Sequence, residues 1–156
     1  MEPDSNEPQV LEVTPVTTAV ISGVVEMTRI GEFFDASFTT LGEVLGAQGV
    51  VMAGPPVALY HSPPGEVVDL EVGIPIDGTL EPQRGVEVSG LPGGRVARLI
   101  HEGPYDGLGS AWERLGAWVG EQGLTPAGAA WEAYLTEPGP DADPSEMRTE
   151  LNLSVS

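Results

Sequence analysis

The chain contains no cysteine and no lysine, and its formal positive charge is confined to six arginines. Without thiols there can be no disulfide, no thiolate nucleophile and no cysteine-held zinc. Its two histidines, His61 and His101, stand far apart with no metal-ligand spacing around them. Neither a metal nor a cofactor is therefore expected. No apolar run approaches the length of a membrane span, and the N-terminus lacks the basic-then-apolar pattern of a signal peptide. A cytoplasmic protein with no membrane partner is expected.

Acid is abundant: 24 Asp and Glu give a formal net charge of −18. Such a charge opposes contact with nucleic acid or an anionic membrane, favours solubility and draws cations toward the surface. Most of these carboxylates read as a solvated face. Arginine without lysine, alongside 21 Gly and 15 Pro, suggests a GC-rich coding sequence more than a mechanism. A length of 156 residues with 40% hydrophobic content suits one domain with a real core. "MEPDSNEPQ" reads as a flexible acidic leader over 1–9, ahead of a single domain over 10–156.

The chain repeats itself. "LGEVLGAQGVVMAGPPVALY", from Leu41 to Tyr60, aligns without a gap on "LGAWVGEQGLTPAGAAWEAY", from Leu115 to Tyr134. Two copies are too few for a solenoid, which leaves two halves of one pseudo-symmetric domain, about 10–78 and 90–156. In the first half, "AVISGVVEM" (19–27) predicts a strand, and Phe34, Phe38, Leu41 and Leu45 predict a helix over 30–48 that Gly49 closes. A short strand over 57–61 follows. Then Val68, Leu70, Val72, Ile74 and Ile76 alternate with polar or small residues.

The second half predicts a strand over 95–101 and a helix over 105–122 burying Leu108, Trp112, Leu115 and Val119. Strands over 129–135 and 149–155 complete it. The expected fold is α+β: duplicated β-α-β-β units, a mostly antiparallel sheet and two main helices. Asp77 to Gly94 reads as a surface connection, and "TEPGPDADPSE" as a solvated turn.

"AAWEAYL", 129–135, sets one carboxylate among apolar neighbours. On a strand Glu132 shares a face with Tyr134, while Trp131 takes the other face and is assigned to the core. Together with "HEGPYDGLGSAWERLGAWVGEQGL", this pattern of His-x-Gly-x-Tyr, a helix with a central Trp, and Trp-Glu-x-Tyr on a strand resembles the GyrI-like effector-binding domain family. The resemblance implies a ligand groove at the junction of the halves, lined by aromatics and holding an acid. It implies Glu132 as that acid, Tyr134 beside it, Tyr105 at the mouth and Glu150 as a second acid on the non-core face. Tyr60 is equivalent to Tyr134 by the repeat and is a candidate for the other flank, with Trp112 a candidate for the wall. Glu71 matches Glu150 in the first half. No helical DNA-reading region precedes the domain in this sequence, so no direct contact with nucleic acid is expected.

A strand carboxylate can face water, hold a structural hydrogen bond or face a ligand, and the sequence leaves all three open for Glu132. An acid among aromatics selects lipophilic cations, through charge and through cation–π attraction of about 0.5–2 kcal/mol per contact. The leading expectation is a small-molecule-binding protein for hydrophobic, cationic or polycyclic compounds, acting by sequestration or by relaying occupancy to a regulator. The family also suggests a hydrolase of cyclopropane-type alkylators, using Glu132, Glu150 and Tyr134 for general acid–base work. A gyrase-inhibitor-like protein is the third reading.

Overall fold

A computed structural model of the chain describes residues 7–61, 65–103, 107–135 and 147–156. Among these residues are nine strands and two α-helices, and every strand pairing described below is antiparallel, an α+β protein as the pattern predicts. No helix among them is long and apolar enough to cross a membrane. The described residues fall into two compact units, drawn from Pro15–Pro92 and from Met1–Thr14 with Gly93–Ser156.

In the Pro15–Pro92 unit, β2 (Val16–Glu26) leads through a 3-10 turn into α1 (Ile30–Gln48). β3 (Val51–Met52), β4 (Val57–Tyr60), β5 (Val67–Asp77) and β6 (Glu87–Leu91) follow. The β-branched residues of β2 pair with β5 on one side and β6 on the other; β4 pairs with β5. Leu41, Val44 and Leu45 of α1 pack on Ala19, Ile74 and Ile76 of the sheet. Phe34 and Phe38 meet edge to face, with ring centroids 6.0 Å apart.

In the other unit, β1 (Gln9–Val13) lies along β7 (Gly94–Glu102), and β9 (Arg148–Val155) separates β7 from β8 (Pro126–Tyr134). Helix α2 (Leu108–Glu121) buries Ala111, Leu115 and Val119 against Ala97, Leu99, Leu151 and Val155.

Both helices end identically, and this is what the Gln-Gly of the sequence repeat encodes. Gly49 (φ 68°) and Gly123 (φ 72°) adopt the left-handed conformation that glycine takes at little cost. The amides of Gly49 and Val50 bond back to the carbonyls of Gly46 and Leu45; those of Gly123 and Leu124 bond to Gly120 and Val119. This six-to-one, five-to-two pattern satisfies the last carbonyls and drops Val50 and Leu124 onto the respective cores.

The stretch from Asp77 to Gly94 departs from the expected surface connection. Leu80 and Val86 are buried in the α1 core, and β6 forms an edge strand on β2. Its Gly and Pro content marks a tight turn: Arg84 and Gly85 both have positive φ, 56° and 84°, between the bridged Gln83 and Val86. The edge strand β1 is equally unsignalled, since "QVLEV" is too short to declare a period.

On the face of the Pro15–Pro92 sheet away from α1, Glu71 is 7% exposed. It accepts a bond from Ser89 at 2.7 Å, and the His61 ring lies 3.2 Å from its other oxygen and 3.0 Å from Asp69. The hydrogen bond to Asp69 foremost raises the His61 pKa above its ordinary 6.5; burial opposes it, and the contacts with Glu71 add to the rise. Because the folded value is the higher one, this stabilisation is complete below pH 6.5 and fades as pH rises through the folded pKa. His61→Asn should lose most stability relative to wild type near pH 5.5, and the gap should shrink by pH 8, measured by urea unfolding across that range.

Glycines separate by their surroundings. A Cβ on Gly73 would lie 2.6 Å from the Ala19 carbonyl oxygen and 2.6 Å from Val20 Cγ1, whereas one on Gly116 in α2 would meet nothing within 4 Å. Gly73→Ala should therefore cost about 1–3 kcal/mol by overpacking. Gly116→Ala should stabilise by up to about 1 kcal/mol through helix propensity. Urea unfolding of the two variants checks both signs.

Candidate functional site

Strand register fixes which side chains share a face. Glu132 of β8 stands opposite Leu151 of β9, which stands opposite Leu99 of β7; Tyr134 stands opposite Thr149, and Thr149 opposite His101. Leu151 and Leu99 belong to the core beneath α2. Glu132 and Tyr134 therefore face the helix. Trp131 is buried as expected (4% exposed), but on the other face, opposite Asn152. The sequence reading assigns these two faces the other way round. Every position of β8 from Trp131 to Tyr134 is buried, so alternation along that strand cannot say which side the helix covers.

Glu132 is 3% exposed. Its two oxygens receive two aromatic donors: the Trp112 indole N–H donates to Oε2 at 2.7 Å, and the Tyr134 hydroxyl donates to Oε1 at 2.7 Å. Both lengths are those of charge-assisted bonds. Trp112 sits one turn before Leu115, so the spacing that buries Leu115 also aims the indole at the sheet. The buried carboxylate, two aromatic rings and the apolar side chains of the α2 core thus form one cluster within one unit.

Glu150 is not part of it. It projects from the opposite face, where its Oε1 meets Arg98 Nη2 at 3.3 Å and accepts from Asn152 at 3.2 Å; Arg98 Nε in turn donates to Asn152 at 2.8 Å. The two acids of the acid–base reading are therefore on opposite sides of the sheet. Glu150 and Glu71 do correspond, as the repeat suggests: each lies on the face of its own sheet away from its own helix. Tyr60, on β4 opposite Leu70, belongs to the other unit. Tyr105 lies outside the described residues, as does the polar loop over 136–146.

The buried polar residues Asn152 and Thr149, both 0% exposed, escape the sequence reading. Thr149 falls in the apolar alternation with Leu151, Leu153 and Val155 and reads as an ordinary strand residue, and Asn152 reads as an exposed spacer.

Trp112→Phe removes one donor from a buried carboxylate and should cost about 1.5–3 kcal/mol. In a double-mutant cycle with Glu132→Gln, the coupling should be at least about 1 kcal/mol, read from urea unfolding. Additive losses would mean that the indole contributes packing alone.

The profile of the GyrI-like small molecule binding domain matches residues 6–155. Among curated proteins no match is found. Among solved structures, the C-terminal domain of EcmrR superposes with a TM-score of 0.86 at 18% identity, covering 97% of this chain and 98% of that one. Against EcmrR in its DNA complex the TM-score is also 0.86, at 21% identity and 96% coverage, but this chain spans only 57% of that longer chain. A hydrolase from Listeria innocua aligns at 0.72 with 16% identity, covering 97% and 92% of the two chains. SAV2435, solved with tetraphenylphosphonium, aligns at 0.64 with 16% identity, covering 96% and 94%. At these identities the structures share a fold, and the profile match over 6–155 carries the conclusion that the chain belongs to the GyrI-like small-molecule-binding domain family.

Proposed function

We propose that the chain binds lipophilic organic cations, with Glu132 as the counter-charge and Tyr134 and Trp112 as aromatic walls. One observation carries this: a carboxylate 3% exposed whose oxygens are met by the polar edges of two aromatic side chains at the margin of an apolar core. A carboxylate so desolvated attracts a cation far more strongly than one in water. A cation clad in hydrocarbon loses little hydration on reaching it and gains apolar burial and ring contacts. Trp112 covers one carboxylate oxygen, and a guest that takes the place of that indole N–H would couple ligand entry to movement of the Trp112 side chain or of α2.

The likeness to SAV2435, solved with tetraphenylphosphonium, supports this ligand class. Occupancy would be used by sequestration or by relay to a separate regulator. The hydrolase reading finds less support, because Glu132 and Glu150 lie on opposite faces and the Tyr134 hydroxyl is engaged by Glu132.

Differential scanning fluorimetry with tetraphenylphosphonium tests the proposal. At a hundredfold excess over Kd, binding adds about 2.7 kcal/mol to stability. For a chain of this size that is a rise in Tm of about 5–10 °C. Glu132→Gln, checked for folding by circular dichroism, should lose most of that shift. A rise as large as that of wild type would remove the carboxylate from the site.

A further inference from the structure

Thr149 is fully buried, and its hydroxyl oxygen has no hydrogen-bond partner among the described residues. A buried hydroxyl without a partner costs about 1–3 kcal/mol, so such groups are rare and call for a reason. The only other orphan among the described residues, Thr18, lies in the Pro15–Pro92 unit beside Ser89, whose own hydroxyl is taken by Glu71.

Thr149 has a distinctive position. It sits opposite Tyr134 on one side and His101 on the other, on the helix-facing side of its sheet, two residues along from the pair Glu132 and Leu151. Directly opposed Cβ atoms on a sheet are about 5 Å apart and diagonal ones about 7 Å, so its hydroxyl falls within one small molecule's reach of the carboxylate. The Tyr134 hydroxyl donates to Glu132. At this end of the sheet Gly107, where α2 begins, lies against the His101 ring, so close that a Cβ there would come within 2.9 Å of it.

We infer that Thr149 is a specificity residue of the Glu132 site: its hydroxyl receives a hydrogen-bonding group that the ligand carries beside its positive centre. This deepens the reading of Glu132 as the charge anchor and rests on it. The ligand class narrows accordingly. A hydrocarbon-clad ion such as tetraphenylphosphonium leaves the Thr149 hydroxyl unpaired. A protonated amine with a hydroxyl or carbonyl a few bonds away pairs it while its ammonium meets Glu132.

Calorimetric titration of three probes separates the possibilities: propranolol, an aryl amino alcohol; its deoxy analogue, which lacks only the hydroxyl; and tetraphenylphosphonium. Wild type should bind propranolol about five- to tenfold more tightly than the deoxy analogue, the worth of one hydrogen bond. Thr149→Val, which keeps the shape, should abolish that preference and leave tetraphenylphosphonium within about twofold; Thr149→Ser should retain it. A preference that is absent from wild type, that survives Thr149→Val, or that gives way to an equal loss for all three probes overturns the inference and leaves the Glu132 reading standing. Unchanged binding of all three by Glu132→Gln, or no binding by wild type, overturns both.

Discussion

A charge taken out of water governs this molecule. Removing a carboxylate from solvent costs several kcal/mol, and only donors already in place offset it. Here the donors come from two directions: Tyr134 from the same strand and Trp112 from the helix above. Helix α2 is thus held to its sheet by Leu115 and Val119, which any apolar surface could accept, and by an indole that must point at one atom. The first kind of contact sets how tightly the helix packs. The second sets where it sits. Displacing Trp112 would take one donor from a buried carboxylate, so the indole contact favours the closed arrangement of helix and sheet.

Duplication supplied the scaffold and divergence the chemistry. Both units share a strand, a helix and two further paired strands in that order, the Gln-Gly helix ends, and the tyrosine that ends β4 in one and β8 in the other. At the position of Glu132, however, the first copy has Ala58, fully buried beside Val72. Its buried acid, Glu71, is on the reverse face of its sheet and is met by Ser89 and His61 rather than by aromatic rings. One copy therefore buries a carboxylate under a helix and the other holds one in a polar, partly wetted cluster. The capped helices and the apolar alternation are common to both units, and the two acids are where they differ.

That division explains what the sequence makes legible. Periodicity in β5 and in α1 and the left-handed glycines are local signals, and they give the elements nearly to the residue: the helix over 30–48 is found where its spacing predicts. The grouping of Glu132, Tyr134 and Trp112 is also readable, from the repeat and the family resemblance. Register is not. Whether Glu132 faces α2 depends on which residue of β9 it stands beside, and β8 is apolar on both faces, so nothing within it decides. The same ignorance puts Glu150 with Glu132 in the sequence reading. Edge strands β1 and β6 are missed for another reason: five residues with one half-buried face look like loop.

The formal charge of −18 and the carboxylate buried under α2 act on different scales. Surface acids act across about 8 Å at physiological salt and gather every cation, hydrated metal ions included. They cannot select. Selection has to come from dehydration: a compact, strongly hydrated ion would surrender more at Glu132 than the carboxylate returns, whereas a large delocalised cation has little hydration to lose and covers apolar surface as it enters. On this reading the acidic exterior raises the local concentration of positive molecules and the interior admits the lipophilic ones among them. In the proposed role, burial is what would let Glu132 discriminate. The same carboxylate on the outer surface would be one more of the 24 acids.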